Sequence, residues 1–352
     1  MLNFNPKWIQ LQLTESCNLK CTICYERNSV AYKKKQFVLD FTRTKEIIDE
    51  CSSFHPHYEL FGGEPLMYPH LKELLEYINK KNSKVTIPTN GTLLAKKAQT
   101  LLGNSVEKVW VSLDGPQEIN NRQRGINSYQ AAERGILALY EHRLKAQLEY
   151  PRIGVHCVVT ADNYTYLEEM VNNPELFQYV DDFSFELQKY LTPDKYKEYI
   201  DLLNEEKPVI EANYAKGYIQ DVKMFAFINA EALHSSLTNI KATCQKNDKG
   251  FYTNPDKLDS FDIKNYFSAN WDNMKTHHKS CIFPFTYSEI SAKGDVTLCH
   301  SFYDDVLGNI YQQGLLDIWN NQRANSLRKS IRKKLLPICY ACCSFFNSEN
   351  KA

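Results

Sequence analysis

Seven of the eleven cysteines in this chain fall into two sets with metal-cluster spacing. Cys17, Cys21 and Cys24 form a C-x3-C-x2-C run directly after an apolar segment. Cys281, Cys299, Cys339 and Cys342 are separated by 17, 39 and 2 residues. Thiolates hold zinc as well as iron–sulfur clusters. Three thiolates on one short loop leave a tetrahedral zinc ion a ligand short. They suit a [4Fe–4S] cluster with three capped irons and one open iron, where chemistry can take place. Four thiolates converging from distant points make a closed site, suited to structure or electron transfer. A zinc ribbon competes for that second set, because C-x2-C is a zinc spacing too.

The remaining composition narrows the class. The chain has 352 residues, enough for one large domain and a small one, and it balances 42 basic against 42 acidic side chains. That balance gives no electrostatic footprint for nucleic acid or a membrane surface. No apolar run reaches the length of about 18 residues that a transmembrane helix needs. The N-terminus, MLNFNPKW, lacks the basic and apolar regions of a signal peptide. Cysteines without an export signal argue against disulfides and for a reducing, cytoplasmic setting.

The elements that must position the cysteines alternate. Period-two apolar patterns predict strands over 8–14, 58–61, 85–87, 106–113, 153–159 and 183–187. Helical patterns fall between them, over 41–52, 69–78, 93–102, 128–144 and 164–171. Repeated βα units imply a parallel sheet with right-handed crossovers, and six of them fall short of a closed eight-unit barrel. The expected fold is therefore a partial (β/α)6 barrel over 1–191. A polar, helix-leaning segment follows over 192–280. A small cluster module over 281–352 opens with a hairpin around Ser291-Ala292-Lys293-Gly294-Asp295 and continues with helices over 315–320 and 324–333.

Polar or glycine-rich residues sit at every predicted strand end, where active residues collect in such sheets. The first strand runs into the Cys17 loop. The next ends are Phe61-Gly62-Gly63-Glu64-Pro65, Thr89-Asn90-Gly91-Thr92, Ser112-Leu113-Asp114-Gly115-Pro116, Thr160-Ala161-Asp162-Asn163 and Glu186-Leu187-Gln188.

With the cysteine loop, Tyr25 and Gly62-Gly63-Glu64-Pro65 in these places, the chain resembles the radical SAM superfamily. In that family the amino and carboxylate groups of S-adenosylmethionine chelate the open iron. The resemblance implies that Gly62 and Gly63 present backbone to the methionyl amine, with Glu64 nearby and Tyr25 near the adenine. Thr89 and Asn90 would line the ligand, and Ser112 and Asp114 would reach its carboxylate or ribose. Arg124 would pair with the carboxylate, since a guanidinium forks onto it well. The implied reaction is reductive cleavage to a 5′-deoxyadenosyl radical, which removes hydrogen from a substrate carbon. An electron donor such as a flavodoxin or ferredoxin would feed it.

The second cysteine set resembles the SPASM/twitch group of that superfamily. Cys281-x12-Gly294-x4-Cys299, Leu307-Gly308-Asn309-Ile310 with Leu316-Asp317-Ile318-Trp319-Asn320, and Pro337-Ile338-Cys339-Tyr340-Ala341-Cys342 look like its successive parts. The later cysteines of a full SPASM domain are missing, which is closer to the shorter twitch form with one auxiliary [4Fe–4S] cluster. This resemblance favours a peptide or protein substrate, which would undergo cross-linking, oxidation or epimerisation. A small polar metabolite comes second. The chain starts directly at the first barrel strand, without a leader-binding domain, which weighs against the peptide. A mixed helix–strand groove with an exposed edge in 192–280 would favour the peptide; a closed small pocket would favour the metabolite.

Plainer readings stand beside these. A non-catalytic iron–sulfur or zinc binding protein could reuse the barrel. Cys51 and Cys157 fit core packing, and Cys244 is more readily a bystander than a hydrogen donor. Cys343 is a buried neighbour or an alternative ligand. His55, His57, His70, His156, His277, His278 and His300 show no metal-like pairing. Glu186, Gln188 and Asp304 are candidate substrate contacts or proton acceptors, and each is more often structural.

Overall fold

A computed structural model describes residues 4–29, 36–103, 105–206, 212–275, 281–299, 301 and 304–346. His277, His278 and His300 lie outside them. Six parallel strands follow in order: β1 (Trp8–Thr14), β2 (His57–Gly62), β3 (Val85–Thr89), β4 (Val106–Ser112), β5 (Arg152–Val159) and β6 (Asp182–Leu187). Each strand buries one face. Ile9, Leu11, Leu13, Leu60, Ile87, Val109, Val111, Val155 and Leu187 are fully enclosed.

The helices α1 (Tyr25–Asn28), α2 (Phe41–Cys51), α3 (Leu71–Lys80), α4 (Leu94–Leu101), α5 (Gln117–Arg124) and α6 (Ser128–Lys145) fall between the first five strands. In α3 the buried residues Leu71, Leu74, Leu75 and Ile78 recur at helical spacing, which makes one apolar face for the core. Asp40 caps α2 by accepting the Arg43 N–H, satisfying a donor the helix itself leaves open. Cys51 and Cys157 pack in this core, as their apolar faces suggested.

The other face of the sheet is polar. Gln10 and Gln12 on β1, Glu59 on β2, Ser112 on β4, His156 on β5, and Ser184 and Glu186 on β6 alternate with the apolar residues. The sheet curls around this face. Strands four places apart on a flat sheet would be about 19 Å apart. Yet the charges of Lys189, His156 and Glu186 all act on the Glu59 carboxyl. The polar face is therefore the inside of a partial barrel.

Two findings extend the expected six strands. Helices α7 (Leu167–Val171) and α8 (Pro174–Phe177) precede β6, and the segment beyond it holds α9 (Pro193–Glu206), α10 (Ala230–Lys246) and α11 (Ser260–Phe267). It also supplies a seventh parallel strand, β7 (Gly250–Asn254), paired with β6. The sequence hid this strand because neither of its faces is fully buried, so it prints no alternation.

The C-terminal hairpin of β8 (Tyr287–Ile290) and β9 (Asp295–Thr297) forms where it was expected. Its first strand pairs in parallel with β1, and β10 (Gly308–Asn309) follows β9. One ten-stranded sheet results, in the order β10-β9-β8-β1-β2-β3-β4-β5-β6-β7. The cluster module is thus attached to the barrel by backbone hydrogen bonds.

Candidate active site

The cysteine loop leaves β1 and is pinned by two neighbouring strand ends and the end of α5. From β2, the Gly63 N–H donates to the Thr14 carbonyl at 2.7 Å and the Glu64 N–H to the Ser16 carbonyl at 2.9 Å. A Cβ on Gly62 would lie 2.3 Å from the Thr14 oxygen, and one on Gly63 would lie 2.5 Å from that of Ser16. Gly62 also holds φ at +132°, where side chains are strained. The resemblance gave these glycines to a ligand's approach. The close approach seen here is to the chain's own backbone, leading into Cys17.

From β3, Asn90 Nδ2 donates to Asn18 Oδ1 at 2.9 Å and lies 3.8 Å from the Cys17 sulfur. From the far side, the Gln123 carbonyl at the end of α5 accepts the Thr22 N–H at 2.9 Å. Cys21 Sγ approaches the Arg124 carbonyl at 3.8 Å.

Two buried carboxylates hold these braces. Glu64 is fully enclosed and accepts from Thr89 Oγ1 at 2.6 Å, the Asn90 N–H at 2.8 Å and the Leu66 N–H at 3.1 Å. Burial pushes its carboxyl up while these three donors pull it back. Asp114 is also fully enclosed. It accepts a fork from Arg124 at 2.5 and 3.0 Å, Gln123 Nε2 at 2.7 Å and the Val158 N–H at 3.0 Å. Both of its oxygens are engaged by protein, and Arg124 is turned onto it. Asp114 and Arg124 thus face each other between α5 and β5; the resemblance turned Arg124 toward a ligand's carboxylate and Asp114 toward that carboxylate or the ribose. Ser112 stays partly exposed at the end of β4.

Tyr25 stacks on Tyr218 from the middle segment, with ring centroids 4.2 Å apart at 17°. No local pattern signals that pairing.

The loop thiols fit a cluster. Cys17, Cys21 and Cys24 all keep partial exposure. Burial pushes the Cys24 thiol up to about 11, and the Cys21 and Cys17 charges add to it. A cationic centre among the three would hold them as thiolates. In the C-terminal module, burial and then the charges of Cys281, Cys299 and Cys342 push the Cys339 thiol up, so all four share one neighbourhood.

No group of three or more His, Cys, Asp or Glu among the described residues is placed to hold a single metal ion. Sulfurs on one zinc sit about 2.3 Å from it, whereas a cluster spreads them over separate irons.

Cys343 parts from its neighbour. Its thiol donates to Glu186 Oε1 at 3.1 Å, inside the barrel. Lys189 Nζ and His156 Nε2 meet the same carboxylate at 2.8 and 3.2 Å. The sequence offered Glu186 as a candidate contact and Cys343 as a buried neighbour or alternative ligand, read His156 as unpaired with metal, and passed over Lys189. The signal for the rest was polar residues alternating along strands of a parallel sheet, which is ordinarily apolar on both faces. Of the other candidates, Asp304 accepts the Tyr214 and Ala215 N–H groups at 3.0 Å each, and Gln188 and Cys244 are buried. These serve the structure.

A curled parallel sheet with three thiols at one strand end and four more in an attached module defines a two-cluster barrel protein. The radical SAM superfamily profile matches residues 11–173, and an iron–sulfur cluster-binding (SPASM) domain profile matches 281–343. The chain belongs to the radical SAM superfamily, carries a SPASM domain, and is a radical SAM enzyme. The cofactors implied are S-adenosylmethionine and two [4Fe–4S] clusters.

The chain is 25% identical to the tungsten-containing aldehyde ferredoxin oxidoreductase cofactor-modifying protein of Pyrococcus furiosus, over 96% of this chain and 87% of that one. It is 36% identical to the Fe-coproporphyrin III synthase of Methanosarcina barkeri, but over only 39% of this chain and 35% of that relative. Among solved structures it resembles Streptococcus suis SuiB bound to S-adenosylmethionine, with a TM-score of 0.64 and 18% identity. That match covers 99% of this chain and 77% of SuiB. SuiB is also solved with its precursor peptide SuiA.

No helix among the described residues is long and apolar enough to cross a membrane.

Proposed function

We propose that this enzyme removes hydrogen from a carbon of a peptide or protein substrate bound inside the barrel and leaves that substrate modified. Cys17, Cys21 and Cys24 hold the first cluster, and Cys281, Cys299, Cys339 and Cys342 the second. When bound, the first cluster with S-adenosylmethionine supplies a hydrogen-abstracting 5′-deoxyadenosyl radical, and the second supplies a one-electron acceptor. The chain's own residues position and enclose. Glu64 and Asp114 fix the cysteine loop, Ser112 and Asn90 remain at the mouth toward S-adenosylmethionine, and the polar lumen receives the substrate. Tyr25 on Tyr218 screens the mouth from water. A flavodoxin or ferredoxin serves as electron donor, in the cytoplasm.

The observation that carries the peptide reading is the edge strand β7. It closes the sheet in the middle segment, between helices, and its outer edge pairs with no described strand. Tyr252 on it is 48% exposed. An extended peptide can add to such an edge by main-chain hydrogen bonds. The bound peptide of the structurally similar SuiB supports the same class. The cofactor-directed name of the Pyrococcus furiosus relative favours a second reading, a small polar metabolite.

The test is anaerobic incubation of the reconstituted enzyme with S-adenosylmethionine, dithionite and a panel of precursor peptides and metabolites. Modified peptide appearing with 5′-deoxyadenosine supports the reading; turnover confined to metabolites sinks it.

A further inference from the structure

The helix Gln322–Lys333 in the C-terminal module is one-sided in charge. Its buried residues Ala324, Arg328 and Ile331 recur at spacings of four and three, which turns one face inward. On its outer side Lys329, Arg332 and Lys333 are exposed, and so is Lys334 just past its end. Between Asp317 and Glu349 the sequence holds six basic residues and no acidic one. Two of the six have partners. Arg323 pairs with Asp305. Arg328 is buried over the Trp319 and Phe4 rings and donates to the Pro284 and Trp319 carbonyls. Among the described residues no carboxylate comes within ion-pair distance of the other four.

The helix itself does not call for all four. Cations in a last turn answer the helix dipole, which covers Arg332 and Lys333. Lys329 stands three and four residues before them, where like charges on one helix face repel. The chain as a whole is neutral, so the patch is local. It also lies beside the second cysteine set. Two residues lead from Lys334 to Leu336, and a turn closed by the Cys339 N–H on the Leu336 carbonyl covers the rest. The Lys334 and Cys339 backbones are therefore no more than about 14 Å apart. Half-buried Leu336 and Pro337 adjoin the patch, and Arg332 lies over the half-buried Phe285 ring at 4.5 Å. Arginine, aromatic and apolar groups together are what protein interfaces favour.

We propose that Lys329, Arg332, Lys333 and Lys334 form the docking surface for an acidic one-electron carrier protein, seated beside the second cysteine set. A carrier must bring its redox group close to a cluster, and opposite charge steers that encounter and fixes its orientation. Nucleic acid and anionic membrane would feel the same charges, but neither has a use for a place beside a cluster. The inference rests on the electron-carrier reading above; the charge pattern alone requires only an acidic protein.

The experiment is anaerobic biolayer interferometry of the two-cluster holoenzyme with an acidic flavodoxin, at about 50 and about 300 mM salt to vary the screening length. Duplex DNA and phosphatidylglycerol vesicles are the other probes. Lys329→Glu, Arg332→Glu, Lys333→Glu and Lys334→Glu together should weaken flavodoxin binding about tenfold or more at low salt and remove most of its salt dependence. The four corresponding Gln replacements, gentler at a helix C-terminus, should weaken it less and guard against misfolding of the Glu variant. Iron content and dithionite-driven 5′-deoxyadenosine formation should stay unchanged in both. Flavodoxin that drives S-adenosylmethionine cleavage while its binding ignores both variants would overturn the surface and leave the carrier reading standing. Patch-dependent binding of flavodoxin without flavodoxin-driven cleavage would uphold a surface for acidic protein and overturn the carrier reading. Patch-dependent binding of DNA or vesicles but not of flavodoxin overturns the proposal, and so does binding of none of the probes.

Discussion

The two cysteine sites are built in opposite ways. Cys17, Cys21 and Cys24 lie within eight consecutive residues, on a loop that has no regular structure until α1 begins at Tyr25. Its shape is imposed from outside, by Gly63 and Glu64 from β2, Asn90 from β3 and Gln123 from α5. The second site gathers cysteines from Cys281 to Cys342. It is framed by its own module, which hangs on the barrel through β8, and by the middle segment, from which Lys195 and Trp271 meet the Tyr340 ring between Cys339 and Cys342. A compact loop needs braces to hold an open iron in one orientation. A dispersed set is oriented by the fold that gathers it. The first site should therefore be sensitive to distant buried groups and the second to the cysteines themselves.

The strongest way to separate the two is to remove each set. Cys17→Ala, Cys21→Ala and Cys24→Ala together should leave about four of about eight irons and abolish 5′-deoxyadenosine formation. Replacing Cys281, Cys299, Cys339 and Cys342 should also leave about four irons but preserve S-adenosylmethionine cleavage while abolishing two-electron oxidation of substrate. Iron and sulfide counting with product chromatography checks both. Retained function after the first replacement would return the protein to the non-catalytic binding reading.

The braces come next. Asp114→Asn leaves the buried Arg124 charge without its partner. Breaking such a pair costs about 3–5 kcal/mol. Denaturant unfolding should show that loss, and the electron paramagnetic resonance signal of the first cluster should change while that of the second does not. Equal changes in both would erase the contrast between the sites.

Gly63→Ala places a methyl against the Ser16 and Glu15 carbonyls, at 2.5 and 2.6 Å. Those are backbone atoms, so the loop must shift. A loss of about 1–3 kcal/mol is expected, with weaker S-adenosylmethionine binding by equilibrium dialysis and an unchanged auxiliary cluster.

The smallest effect is a pH dependence inside the barrel. Burial pushes the Glu59 carboxyl from 4.5 to about 7, against the Trp8 hydrogen bond and the Lys189 and His156 charges and with the Glu186 charge. The folded protein keeps a proton that the unfolded chain releases in that interval. Stability from this group therefore falls as pH rises from about 4.5 to about 7. Glu59→Gln should raise the melting temperature at about pH 8 more than at about pH 5.5, by thermal denaturation. An equal shift at both would mean that Glu59 is ionised throughout.

The barrel strands were legible because their buried faces print a period-two pattern, and the cysteine loop because its ligands are neighbours in sequence. β7 was not, since an edge strand with no buried face prints nothing. Nor was the tie between Tyr25 and Tyr218, whose partners are far apart in the chain. Asp114 and Arg124 were legible as a site but not as a pair. Motif position says that a side chain is near a ligand; only geometry says which atom it faces.

By itself the sequence determined the ligand types, the βα order and the polar strand ends, because those depend on spacing and local period. Tertiary structure parted the two neighbouring cysteines. Cys342 sits with Cys281, Cys299 and Cys339, while Cys343 turns to Glu186 in the barrel. It also decided that the module's first strand pairs with β1. These contacts join residues up to 279 positions apart, as in the pairing of Gln10 with Glu289. No local pattern encodes such a pairing, because it exists only once the sheet has curled and the chain has returned to its edge.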